Sequence, residues 1–379
     1  MVLARRTPRG GAGVSPAPDR TQTGLIPGPG GWTLSCLAPN ETLGGDPRER
    51  AELLERLAAA RAAAGLDRAH PGVRFSLLSW VLGAWPLGGK PLAAFYTGAS
   101  LLAARYEDLG LPHLLPIDRV WVGMRSDRTG DFGGFHRPGQ GYRYVQMGAV
   151  VTRYGDLTDP DTASSPLVAL DLLRGYAHDC LHYGSYRQFR LRNGEVHRDR
   201  YGINCRDRHG TTYSAPDPDG AVSTRNIGVI MEGATDREAT AITREAARQA
   251  GISEPADTMG RHAFRDVTGR LTPGDLDRLT DPGGLPSVPS DVAGAFLTSM
   301  GSYGRTVKAL YEAFLSEIGG EDAEELHDLI VAAMISGSLT ALSPWLDQRH
   351  GPGAFVRLFR SAAYQGKEPG APEDDEPTR

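Results

Sequence analysis

"SPLVALDLLRGYAHDCLHYG", Ser165 to Gly184, is the stretch on which the reading of this chain turns. Ser165 suits a helix N-cap and Pro166 the first helical position. Wound at about 3.6 residues per turn, Leu167, Leu170, Leu173, Ala177 and Leu181 form one apolar stripe, with Cys180 at its edge. His178 and His182 fall together off the opposite edge, where a buried face meets a cleft, with Asp171 and Gly175 beside them. Two imidazoles at i and i+4 leave successive turns in the same direction and can share one divalent zinc. Asp179 follows the first histidine directly and sits a quarter-turn round, where a carboxylate can take a proton from a metal-activated water. Asp171, two turns before His178, is placed to orient an imidazole from outside the ligand set.

A zinc site needs a third protein ligand, and "MEGATD", Met231 to Asp236, supplies the candidate. Glu232 lies early in a helix expected from Asn226 and closed by Gly251. Asp236 is one turn further on, placed to hydrogen-bond a ligand histidine. The pair of motifs, His178-Asp179-Cys180-Leu181-His182 and Glu232-Gly233-Ala234-Thr235-Asp236, resembles the gluzincin, or thermolysin-like, metallopeptidases. That family joins an HExxH helix to a later helix carrying ExxSD or a near variant. The resemblance implies that His178, His182 and Glu232 bind zinc, that Asp179 is the general base and that Asp236 supports a ligand from behind. It also implies an edge strand for an extended peptide substrate, a part that falls to the segment Tyr142 to Val151.

The family's base is Glu, and Asp179 is one methylene shorter. Proton transfer needs heavy atoms about 3 Å apart or one bridging water. Two other readings therefore stand beside the peptidase: a metal-binding or scaffold protein without catalysis, and an HD-type phosphohydrolase. "HDCLH" also resembles the His-Asp dyad of that all-helical class, whose further ligands would be His113 or His136 and a distant Asp. The β-rich flanks of the helix argue against the phosphohydrolase.

Directly after the helix comes a segment, residues 187–214, with an Asn193-Gly194 turn between strand-like runs, the strongest hairpin signal in the chain. Between Arg187 and Arg208 seven arginines stand against Glu195, Asp199 and Asp207, a local balance of +4. Guanidinium forks suit carboxylates and phosphates, so a peptide or protein substrate with anionic character is expected if this hairpin covers the cleft. Tyr201, Tyr213, His262, Tyr303 and His327 are all candidates to stabilise an oxyanion, and the sequence does not choose among them.

Further out, residues 1–45 are rich in Pro, Gly and Arg without periodicity and are expected to be disordered. A helix is expected over Asp46 to Leu66, then two buried helices within Phe75 to Ala104, broken at Pro86 to Pro91. Neither half is long enough to span a bilayer. Strands are expected at Asp118 to Ser126 and within Gly141 to Gly155. The expected fold is α+β: a domain over 46–270, with the active-site helix on a small mixed or antiparallel sheet, a helical C-terminal subdomain over 271–365, and an acidic disordered tail over 366–379.

The 379 residues, 40% hydrophobic, are ample for a sizeable core. A net charge of -5 singles out no partner class, and nucleic acid is not an expected one. Only Lys90, Lys308 and Lys367 are lysines, an arginine bias that fits a high-GC bacterial gene. Cys36, Cys180 and Cys205 make neither a disulfide framework nor a thiolate zinc site. No apolar core follows the N-terminal arginines, so the cytoplasm is the expected compartment.

Overall fold

The computed structural model describes residues 38–62, 72–84, 89–126, 165–207, 209–278 and 303–364, with the short pieces 25–27, 33–35, 134–135, 145–147, 157 and 159. The chain divides into two compact units, Met1–Leu37 and Ala38–Arg379. The first holds an antiparallel pair, β1 (Leu25–Pro27) and β2 (Thr33–Ser35), within the stretch expected to be disordered. The acidic tail, His136 and Arg208 lie outside the described residues.

The second unit is α+β. It runs β3 (Glu41–Leu43), α1 (Pro47–Ala62), β4 (Val73–Leu77), α2 (Leu78–Ala84), α3 (Lys90–Asp108), β5 (Val120–Ser126), β6 (Gly134–Phe135) and β7 (Val145–Met147). It continues with α4 (Pro166–Gly184), β8 (Arg187–Arg192), β9 (Glu195–Tyr201), β10 (Asn204–Cys205), α5 (Ile227–Gln249), α6 (Thr258–Val267) and α7 (Pro273–Arg278). The helix α8 follows as Gly304–Ala309, Leu310–Phe314 and Leu315–Gly319, its outer two stretches π-helical. The described part closes with α9 (Ala323–Ser336), α10 (Leu342–His350) and α11 (Ala354–Phe359). No helix among the described residues is long and apolar enough to cross a membrane.

Both larger sheets are mixed, in the orders β10-β9-β8-β3 and β4-β5-β7-β6. Two of these strands differ from expectation. Val73–Leu77, the front of the first apolar segment, pairs with β5 rather than starting a helix, because Val73 and Phe75 favour the pleat. Val145–Met147 lies between β5 and β6, so the segment expected to offer a free edge to a peptide is paired on both sides here. β3 adds parallel to β8, tying residues expected to be disordered into the main unit.

The helix α4 is the spine of the core. It packs against α3, α5 and α6. Val168, Ala169, Leu172 and Tyr176 are buried as well as the expected stripe of Leu170, Leu173, Ala177 and Leu181. A helix apolar on most sides is an interior one. Its C-terminus is closed by Arg187, whose side chain is fully buried and donates Nη2 to the carbonyls of His182 (2.6 Å) and Tyr183 (2.7 Å). These are two of the orphan carbonyls that every helix end leaves.

The hairpin that follows is set by its turn. Asn193 (φ 51) and Gly194 (φ 74) both take the left-handed conformation that a two-residue type I′ turn requires. The resulting register pairs Arg192 with Glu195 at the tip and Arg187 with Tyr201 at the base. The end of β9 is thereby returned to the end of α4. On α5, the Asn226 side chain accepts from Gly228 N at 2.8 Å, and Ser214 Oγ accepts from Ile227 N at 2.9 Å. These caps start the helix where Glu232, in its second turn, faces α4.

Candidate metal centre

Three side chains from α4 and α5 converge. His178 Nε2 and His182 Nε2 are 3.0 Å apart. His178 Nε2 stands 3.3 Å from Glu232 Oε1, and His182 Nε2 stands 3.2 Å from Glu232 Oε2. Among the described residues this is the group of His, Cys, Asp and Glu side chains able to hold a metal ion. Ligand atoms of a tetrahedral zinc, with bonds of about 2.0–2.1 Å, stand roughly 3.3–3.4 Å apart. The observed triangle has that size, so the donor set fits the ion in both spacing and chemistry. His182 is 5% exposed, His178 18% and Glu232 35%, so the triangle is closed at its base and open on the Glu232 side. Catalytic zinc sites keep a fourth position for water or substrate, and solvent access on the Glu232 side is compatible with one.

Each ligand is braced. The Tyr201 hydroxyl contacts His182 Nδ1, the nitrogen facing away from the triangle. This contact is the product of the hairpin register, and it orients the ring as outer partners of metal-bound histidines do. Tyr303, at the start of α8, donates its hydroxyl to Glu232 Oε1 at 3.1 Å. Of the five aromatic and histidine side chains considered from the sequence, these two reach the site. Tyr213 packs on Phe355 and Tyr364, His327 joins Tyr311 and Glu238, and His262 is buried on α6.

Charge couples the three groups. Burial disfavours the His178 cation, but the Glu232 carboxylate beside it prevails and raises its pKa. His182, buried and next to the His178 charge, is pushed down. Burial also works against the Glu232 anion, yet the two imidazoles hold its pKa well below the usual range. Asp179 is buried and makes no hydrogen bond or ion pair among the described residues. Burial lifts its carboxyl to about 7, only partly offset by His178.

Asp236 and Asp171 are placed differently from expectation. No hydrogen bond joins either to His178. Asp236 is taken up by Arg174 and by Lys308 Nζ at 3.3 Å, because both cations reach it across the helix interfaces. Its charge still acts on His178, through space. Asp171 is buried three residues before Arg174 and acts electrostatically on that guanidinium. Asp266 on α6 completes the cluster, 2.9 Å from Lys308 and 3.7 Å from Arg174. Arg174, Lys308 and Asp266 were not singled out from the sequence. Arg174 lies one turn before His178, and Lys308 is a rare lysine in an arginine-biased chain. Both were legible signals.

The arginine-rich hairpin is largely occupied with itself. Arg187 caps α4, Arg190 and Arg192 both reach Asp199 (3.3 and 2.9 Å), Arg198 lies over the Tyr201 ring, and Arg200 donates to Gly337 O. His113 is exposed with its Nδ1 toward Leu114 O, and takes no part in the triangle.

Comparison of the chain with known families, with curated proteins and with solved structures finds no match.

Proposed function

We propose that the protein is a zinc-dependent hydrolase of metallopeptidase type, acting on a peptide or amide carbonyl. The observation that carries this reading is the triangle of His178 Nε2, His182 Nε2 and Glu232, with edges of 3.0, 3.2 and 3.3 Å and one open side. When bound there, zinc supplies a Lewis acid and an acidified water. The chain's own residues do the rest. His178, His182 and Glu232 hold the ion, Tyr201 fixes the His182 ring, and Tyr303 fixes the Glu232 carboxylate. Asp179 accepts the proton of the attacking water and returns it to the leaving amine. Its burial without a hydrogen-bond partner among the described residues keeps the carboxylate basic enough for both transfers. The open side next to Glu232 admits the substrate, which takes a peptide or protein with anionic character if the remaining arginines of the hairpin face it.

The test is elemental analysis of the wild type and of His178→Ala, His182→Ala and Glu232→Ala, followed by a peptide library screen with and without chelator. One zinc per chain, lost in all three variants, with hydrolysis abolished by chelator and by Asp179→Asn, is the expected result. Zinc retained in Glu232→Ala removes the third ligand from the site. Stoichiometric zinc with no hydrolysis in the wild type, and hydrolysis gained in Asp179→Glu, overturns the enzyme in favour of a binding protein.

A further inference from the structure

A second feature lies beside the triangle and shares none of its three ligands. A cavity of about 450 Å³ opens between α5, α8 and the segment around Gly269, within the size range of small-molecule sites. Its lining includes Asp236, Arg237, Thr240, Arg244 and Lys308. Arg237 and Arg244 are seven residues apart on α5, two turns along the same face and roughly 10 Å in rise.

The cations around it are not equally neutralised. Lys308 is paired with Asp236 and Asp266. Arg237 reaches Glu312 at 3.4 Å and Glu324 at 2.6 Å. Its Nη1 is nevertheless buried with no hydrogen-bond acceptor. Arg244 has no carboxylate partner among the described residues; its one hydrogen bond is Nη1 to Thr268 O at 2.9 Å. Burial, together with the like charges of Arg270 and Arg237, disfavours its cation and lowers its pKa. A half-buried guanidinium set among other guanidiniums, bordering a partly open cavity, has no carboxylate counter-ion among the described residues.

We propose that this cavity binds an anionic small molecule bearing a phosphate or carboxylate group, with Arg244 as its principal cation and the charge of Arg237, which lines the same space, as a second. Thr240 lines the same space. Its hydroxyl already donates to Asp236 O at 2.8 Å, so the oxygen remains able to accept from a protonated ligand oxygen. The guanidinium fork matches both anion types.

The proposal is tested by isothermal titration of the full chain at low ionic strength with inorganic phosphate and, separately, with succinate. The proteins are the wild type, Arg244→Gln, Arg244→Lys, Arg237→Gln and His178→Ala, each checked for folding by circular dichroism. The expected result is saturable one-to-one binding of at least one anion, with the tighter of the two naming the ligand class. Affinity falls about tenfold or more in Arg244→Gln, as loss of a charged hydrogen bond requires. It falls less in Arg244→Lys, and it is unchanged in His178→Ala. If Arg244→Gln fails to fold, a comparable loss in folded Arg237→Gln supports the site, and undiminished binding there overturns it. No saturable binding of either anion overturns it, as does equal affinity in wild type and Arg244→Gln. Binding that disappears in His178→Ala places the anion at the triangle instead and equally sinks the proposal.

Discussion

Gly233→Ala probes how the third ligand is held. Gly233 sits between Glu232 and Ala234 on the face of α5 that α8 crosses. A Cβ built there would stand 2.5 Å from both Cβ and Cγ of Tyr311 and 3.0 Å from its Cδ1. Tyr311 is 1% exposed and its Cβ is attached to the α8 backbone, so no flexible end can swing away. An ordinary carbon contact needs about 3.5–4.0 Å. The helix α8 must therefore retreat by about 1 Å. Overpacking of this kind costs about 1–3 kcal/mol. Replacing a helix-interior glycine by alanine returns about 0.5–1 kcal/mol. The net expectation is a loss of about 1–2 kcal/mol, read as a lowered urea midpoint with an unchanged slope. The same retreat carries Tyr303 away from Glu232 Oε1, now 3.1 Å distant, and breaks that hydrogen bond. Zinc affinity, measured by competition with a chromophoric chelator, should drop about 10- to 100-fold, as for loss of an outer partner of a ligand. Tyr303→Phe should reproduce the loss of affinity without the loss of packing. A Gly233→Ala protein as stable as the wild type, or more stable, would refute the close approach of α8 on which the argument rests.

Three further outcomes follow from the same contacts. Arg187→Met removes the buried cap of α4 and breaks a pairing with Glu41 at 3.9 Å, both side chains being fully buried; a loss of about 3–5 kcal/mol in urea unfolding is expected, and a loss below about 1 kcal/mol would deny the cap its role. Glu238 is drawn down to about 2, against burial, by His327 and by Arg105. Its contribution is therefore complete above the unfolded value near 4.5 and disappears as pH falls from there toward 2, a change on the order of 3 kcal/mol. Glu238→Gln should flatten the stability profile across that window, and parallel profiles for the two proteins would contradict it. Tyr201→Phe should weaken zinc binding about tenfold or more while leaving the fold intact, since only the hydroxyl touching His182 Nδ1 is lost; unchanged affinity would remove Tyr201 from the site.

Much of the local architecture is legible in the chain because it depends on neighbours in sequence. Ser165-Pro166 marks the start of α4, the i and i+4 spacing puts His178 and His182 side by side, and Asn193-Gly194 imposes the turn that determines the hairpin register. Glu232 was also named from its motif, although its position 50 residues beyond His182 leaves its approach to the decision of packing. What only the tertiary structure decided is which distant groups share a dielectric and a reach. Tyr201 and Tyr303 were indistinguishable in sequence from Tyr213 and His327; the hairpin register brings Tyr201, and the crossing of α8 brings Tyr303, to the ligands. Asp236 stands one turn beyond Glu232 as the motif suggested, yet Arg174 and Lys308, arriving from other helices, take its carboxylate. A side chain's chemistry and helical phase are written locally. Its partner is whichever oppositely charged group the core brings within about 3 Å, and burial leaves a carboxylate either paired, as at Asp236, or driven toward its neutral form, as at Asp179, because an unpaired charge there is costly.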